Sequence, residues 1–244
     1  MWTSYKKGYK AWLQLEKSLA DHSVEAYLRD LERFTSYLQE KGQLLTPASI
    51  NLSMLQEFVY EMAAMGLSPA SQARFISGLR SFFRYCLTEQ LISTDPSVLL
   101  EAPKLKRALP DVLSYGEIEQ LLASIDLSKP EGERNRAIIE LLYGCGLRVS
   151  ELVNLKISQL YLDVDIVRVI GKGNKERLVP LGREAKKQVQ LYLQHVRNKM
   201  NTQPGEEDIV FLNRRGSRLS RVMIFIMLKQ QLQEAGIKKS ISPH

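Results

Sequence analysis

The sequence is poor in cysteine, tryptophan and histidine, and it has no long apolar run. Cysteine occurs only as Cys86 and Cys145, each in an apolar helical context without metal-ligand spacing. Two such thiols make neither a disulfide framework nor a zinc module, and they read as reduced side chains of a cytosolic protein. The longest stretch free of polar or charged residues is Val222–Leu228, far short of a membrane span. The lysines within Met1–Lys10 are not followed by the apolar segment that a secretory signal carries.

What is present is ordinary in bulk and uneven in distribution. The 244 residues are 44% apolar and 25% charged, which excludes disorder and fits one large domain or two small ones. The net charge is +7, yet residues 1–103 carry −1 and residues 104–244 carry +8. That asymmetry points to a polyanion as the partner of the second part. Charge alone leaves open a mildly basic protein with no such partner.

Apolar spacing predicts four helices in the first hundred residues, enough for a small bundle. They run over about 5–19, from Ser23 to Gly42, from Ser53 to Gly66, and onward from the cap Ser68-Pro69. Pro96, Pro103 and Pro110 bracket the aperiodic basic stretch Lys104-Leu105-Lys106-Arg107. The expected division is therefore a helical domain at 1–103, a linker at 104–110 and a second domain at 111–244. In the latter, Ser114 and Glu117 form a capping-box pattern, and a helix covers about 134–143 before Gly144 and Gly146. Ile166–Ile170 and Arg177–Leu181 read as two strands joined at Gly171-Lys172-Gly173-Asn174, with helices to follow at about 183–199 and 220–235.

Three short segments could carry chemistry. In Gly146-Leu147-Arg148-Val149-Ser150-Glu151-Leu152, Arg148 and Glu151 are spaced to share a helix face, so the carboxylate could hold a guanidinium presented to a phosphate. In Gly171-Lys172-Gly173-Asn174-Lys175-Glu176-Arg177, the flanking glycines allow a tight turn that projects an amine able to protonate a departing alkoxide. Ser242-Pro243-His244 closes the chain. Taken singly, these are equally a surface ion pair, a lysine-rich turn and an unremarkable terminal histidine.

Together the three segments resemble the tyrosine recombinase (phage integrase) family, and closely its Xer subgroup. Its pattern is an Arg in G-x-R-x-S-E-L, a Lys in a G-K-G-x-K hairpin, then H-x-x-R, a second His or Trp, and a Tyr nucleophile. Cys145–Leu152 is similar to the first element almost letter for letter, Gly171–Arg177 to the second, and Ser242-Pro243-His244 to the start of the third. The resemblance implies a mainly α fold. It would comprise an N-terminal four-helix, SAM-like core-binding bundle and an α+β catalytic domain with a small antiparallel sheet. The sequence stops at His244, so the second Arg, the second His or Trp and the nucleophile have no counterparts. Tyr143 and Tyr192 sit in apolar helical patterns, Tyr115 and Tyr161 come far too early, and the other six belong to the first domain. The expectation is a C-terminally truncated chain that binds DNA without cutting it.

The resemblance further implies cleavage through a 3′-phosphotyrosine, with neither metal nor other cofactor. Arg148 would clamp the phosphate, oriented by Glu151; Lys172 would protonate the leaving 5′-oxygen, and His244 would assist at the phosphate. Expected DNA contacts are Ser77, Arg80 and Arg84, on one stripe opposite Phe75, Leu79, Phe82, Phe83 and Cys86. Lys104, Lys106 and Arg107 of the linker, Lys175 of the hairpin, and the cluster Arg214, Arg215, Arg218 and Arg221 complete the set. The implied partners are a dif-like duplex site, a recombinase tetramer with a paralogous XerC- or XerD-type subunit as a candidate member, and an FtsK-type translocase as a candidate activator. The implied setting is cytoplasmic chromosome dimer resolution, away from any membrane. An integrase of a mobile element and a non-catalytic DNA-binding protein remain the alternatives.

Overall fold

A computed structural model describes residues 2–105, 111–239 and 241, and of Lys172 the backbone alone. The chain divides into two compact units, Met1–Ala108 and Leu109–His244.

Four helices make up the first unit: α1 (Trp2–Leu15), α2 (Asp21–Glu40), α3 (Leu52–Ala64) and α4 (Pro69–Thr88). Two start signals differ from expectation. Helix α2 begins at Asp21, ahead of Ser23, and Asn51 rather than Ser53 caps α3, accepting a hydrogen bond from the Met54 amide. Asparagine satisfies an orphan amide as well as serine does, so the earlier residue takes the role. Ser68 and Pro69 start α4 as expected. Inside, Phe34, Phe58, Phe82 and Phe83 are fully buried, and Phe82 contacts the rings of Trp2, Tyr9, Phe83 and Tyr85. One charge enters this core: Asp30 of α2 is buried and accepts from Arg74 of α4 at 2.6 Å. The close approach needs Gly78, because a Cβ there would lie 2.8 Å from the Asp30 carboxylate.

The second unit packs helices around a small sheet. Its elements are α5 (Tyr115–Ala123), α6 (Pro130–Gly144), α7 (Val149–Val153), β1 (Leu160–Tyr161), β2 (Ile166–Ile170), β3 (Glu176–Pro180), α8 (Arg183–His195) and α9 (Arg221–Glu234). The capping box at Ser114 and Glu117 forms with both of its hydrogen bonds. The sheet is antiparallel in the order β1-β2-β3, and Val169 lies opposite Arg177. Strand β1 was not foreseen, being too short to show a periodicity, whereas the short α7 falls where the spacing of Arg148 and Glu151 suggested a helix. Helix α8 stops at His195, before the expected 199, and a short 3-10 turn covers Arg197–Lys199. The main core joins Ile138 and Leu141 of α6, Val149 and Leu152 of α7, Val167 and Val169 of β2, and Val189 and Tyr192 of α8. Cys86 and Cys145 are free and buried, and burial pushes the Cys86 thiol up to about 12.

Both tryptophans, Trp2 and Trp12, lie in the first unit. Tryptophan fluorescence therefore reports on that unit alone, and far-UV circular dichroism on both. Phe82→Ala should destabilise the first unit by about 3–5 kcal/mol. The denaturation midpoint read by fluorescence should fall, with the second unit's dichroism transition in place.

Candidate active site and DNA-facing surfaces

The polypeptide is shaped around Arg148. Helix α6 ends at Gly144, and Gly146 takes a left-handed turn (φ 58°). Buried Leu147 then pins the strand-like segment from which Arg148 emerges at φ −71°, ψ 148°. Arg148 is thus the N-cap of α7, just before the helix rather than on its face. Glu151 reaches back from the third helical position, where its carboxylate accepts from the Arg148 backbone amide at 2.7 Å and from Arg148 Nη1 at 3.0 Å. The Arg148 side chain is 65% exposed and that of Glu151 only 2%. An arginine fixed at its base by a buried acid, with its head in solvent, has donors free to meet an external anion.

A second cation shares the carboxylate. Arg177 of β3 donates from Nη1 and Nη2 to the two oxygens of Glu151 at 2.5 and 2.8 Å, a fork-on-fork pair. The Arg177 fork, helped by the Arg148 amide and guanidinium and opposed by burial, holds the Glu151 carboxyl down at about 2. The sequence reading missed Arg177. Its signal was the alternation along β3, where Arg177 and Val179 turn inward while Glu176, Leu178 and Pro180 turn outward.

The turn between β2 and β3 lies against this pair. Its tip, Lys172–Asn174, is a short 3-10 segment with left-handed Gly173 and Asn174 (φ 73° and 57°), closed by Gly171 N–H donating to Lys175 O at 2.8 Å. Gly171 packs over the ion pair, and a Cβ on it would stand 3.2 Å from Glu151 Oε1. Gly171, the residue before Lys172, is thus the point of the turn nearest Glu151, and Lys175 is exposed on the same turn. The Lys172 side chain, His244 with Ser242 and Pro243, and Lys106 and Arg107 lie outside the described residues. Tyr143, expected in an apolar helical pattern, is half exposed and shares with Arg148 the wall of a largely apolar cleft.

The other arginines differ in how far internal partners engage them. Ser77, Arg80 and Arg84 are exposed along one side of α4, with Phe75, Leu79, Phe82, Phe83 and Cys86 buried on the other. Ser77 donates to its own helix at Ala73 O and Arg80 donates to Leu100 O. Arg84 and Lys104 are exposed. In the second unit Arg214 pairs with Glu131, and Arg218 donates to Glu206 and to Asn154 Oδ1, all at 2.9 Å for Arg218. Arg215 and Arg221 have no side-chain ion pair among the described residues. Buried Arg197 does structural work, donating to the carbonyls of Ile209, Glu206 and Glu207. Among the described residues, no group of three or more His, Cys, Asp and Glu could hold a metal ion, and no helix is long and apolar enough to cross a membrane.

Comparison with known proteins gives this arrangement a context. The pattern of the phage integrase family matches residues 111–244, and that of the phage integrase N-terminal SAM-like domain matches residues 7–90. Over 233 residues the chain is 40% identical to the tyrosine recombinase XerD of Listeria innocua, covering 96% of this chain and 78% of that one. To the XerD of Pseudomonas aeruginosa it is 42% identical over 233 residues, covering 95% and 77%. In fold it is similar to the lambda integrase dimer bound to a COC′ core site, with a TM-score of 0.70 at 17% identity over 98% of this chain and 80% of that one. It is likewise similar to the XerH site-specific recombinase in a pre-cleavage complex with a difH substrate, with a TM-score of 0.69 at 24% identity over 91% and 65%. These matches place the chain in the phage integrase family, and within it the chain is a tyrosine recombinase of Xer type.

The Glu151 carboxyl sits below its ordinary value of 4.5, so its contribution to stability is whole above that value and is lost as pH falls toward 2. That contribution is at most about 3 kcal/mol. Glu151→Gln should lower the second unit's stability at pH 7 and flatten its decline through this acid range. Urea titrations followed by circular dichroism at several pH values would detect this. An acid decline as steep in the variant as in the parent would contradict the assignment.

Proposed function

We propose that this protein takes part in cutting and rejoining duplex DNA at a specific site through a 3′-phosphotyrosine intermediate. The observation that carries the reading is Arg148, solvent-facing and anchored by a buried carboxylate that also abuts the Lys172 turn. Attack of a tyrosine on a phosphodiester gathers negative charge on the non-bridging oxygens, which a pre-oriented guanidinium stabilises. Arg148 supplies that clamp. Lys172 protonates the 5′-oxygen as it leaves, and His244 hydrogen-bonds the phosphate or helps move the proton of the nucleophile. In this reading the attacking tyrosine is none of the ten in these 244 residues: six belong to the first unit, Tyr192 is buried, and Tyr115, Tyr143 and Tyr161 precede the third catalytic segment.

Duplex DNA is held by Ser77, Arg80 and Arg84, by the basic linker Lys104, Lys106 and Arg107, by Lys175, and by Arg214, Arg215, Arg218 and Arg221. The identity to XerD recombinases favours a Xer-type role, chromosome dimer resolution in the cytoplasm, over integration of a mobile element. The difH complex of XerH supports a dif-like site, and we extend the proposal to a recombinase tetramer that includes a XerC-like partner and is activated by an FtsK-type translocase.

The 244 residues should bind duplex DNA with an affinity that drops steeply between roughly 50 and 200 mM salt, since each phosphate contact releases counterions. They should form no covalent adduct on a nicked suicide substrate; an adduct would place the nucleophile among the ten tyrosines. In the recombinase carrying this sequence together with the family's tyrosine, Arg148→Ala should slow cleavage by about 10²–10³ with little change in binding. Lys172→Ala should also be slow, but a sulfur in place of the bridging 5′-oxygen leaves without a proton and should rescue it. Equal rescue of both variants, or of neither, would contradict the separate roles.

A further inference from the structure

The Glu151 carboxylate has two cationic partners on two different elements. Arg148 belongs to the segment that opens α7, whereas Arg177 belongs to β3, one arm of the hairpin whose tip is Lys172. The other arm ends at Gly171, which packs over the same carboxylate with no room to spare. The pair therefore ties the hairpin to the arginine segment at the point where both must be placed. Arg177 is 37% exposed at its side chain, and its fork is turned onto Glu151, which takes one donor from each outer nitrogen. Arg168 and Glu176, the other ion pair of this hairpin among the described residues, stand at 3.9 Å and do not touch Glu151.

We infer that Arg177 is a positioning residue of the recombination reaction, which fixes the Lys172 turn against Arg148 through the buried Glu151 carboxylate. The inference rests on the recombinase reading above. A reacting phosphate must meet the guanidinium and the amine together, and a displacement of about 1 Å in either is costly in rate without loosening the grip on DNA. The bidentate fork defines an orientation that a single ammonium does not, so lysine at 177 keeps the charge and loses part of the geometry.

Two measurements test this. In the recombinase carrying this sequence with the family's tyrosine, Arg177→Gln should slow cleavage of a nicked suicide substrate at saturating DNA by roughly 10- to 100-fold. Its DNA affinity should stay within about twofold, a split between rate and binding that unfolding would not give. Arg177→Lys should recover part of the rate, and Glu176→Gln should cleave like the parent. Gly171→Ala, compatible with that residue's ordinary backbone (φ −101°), should also slow cleavage by crowding Glu151 while leaving the Arg177 pair in place. In the 244-residue chain, hydrogen exchange at the Gly171 amide should rise by about tenfold or more in Arg177→Gln, with Val167 of β2 unchanged. Unchanged exchange at Gly171 would overturn the inference, as would parent-like cleavage by Arg177→Gln or an equal loss of rate and DNA affinity. Failure of the parent itself to cleave would instead sink the recombinase reading, and the exchange comparison would still decide whether Arg177 holds the turn.

Discussion

The buried carboxylate of Glu151 is the constraint on which the candidate site depends. A lone ionised acid at that depth would be expensive, and two guanidinium groups with a backbone amide compensate it. The balance of charge matters as much as the hydrogen bonds. One negative charge between two positive ones leaves a net positive site, with Glu151 screening the repulsion of the arginines when no anion is bound. Arg148 spends only Nη1 on this contact and stays largely exposed, so the rest of its fork remains for an incoming phosphate.

That carboxylate is held in place by the apolar residues that flank it, which are packed into the main core. Val149 and Leu152, on either side of Glu151 in α7, are buried in the main core with Val167 and Val169 of β2. Helix α7 has only five residues and would not hold together alone, so tertiary packing rather than helix propensity defines it. The left-handed Gly146 turns the chain sharply enough for Leu147 to enter the core while Arg148 faces outward. A helix too short to be stable by itself is thus a rigid mount for the residue that most needs fixed geometry.

The same distinction explains what could be read in the sequence. Long amphipathic helices were legible because α2 and α4 repeat their apolar positions over several turns. The β2 strand was legible from its β-branched run, and the Ser114–Glu117 cap from its spacing. Strand β1 was not, being held by neighbours distant in the chain, and helix α7 showed only in the spacing of Arg148 and Glu151. Among site residues, Arg148, Glu151 and Lys172 stood out through a family resemblance, yet the sequence put Arg148 and Glu151 on one helix face. The structure makes the first the cap of the helix that carries the second. Arg177 was in plain view within the same motif, but its significance depends on a strand facing a helix across 26 residues of chain. Asp30 and Arg74 pose the same difficulty: nothing local marks an acid that a glycine on another helix admits to the core.

The arginines expected on DNA are not equivalent donors, and the difference follows from their resting partners. Arg215 and Arg221 have no side-chain ion pair among the described residues, so a phosphate meeting either displaces only water and counterions. Arg214 and Arg218 must first exchange Glu131 or Glu206 for the phosphate. Each exchange leaves a carboxylate near a polyanion, which offsets much of the gain from the new contact. Arg218 also holds Asn154, the residue that ends α7, so its engagement by DNA would be felt at the helix that carries Glu151. Counting basic residues therefore overstates the electrostatic footprint. In the proposed reading, the arginines that would take DNA at least cost are those without an ion pair among the described residues, and Arg148, the proposed phosphate clamp, is held from behind by a buried acid.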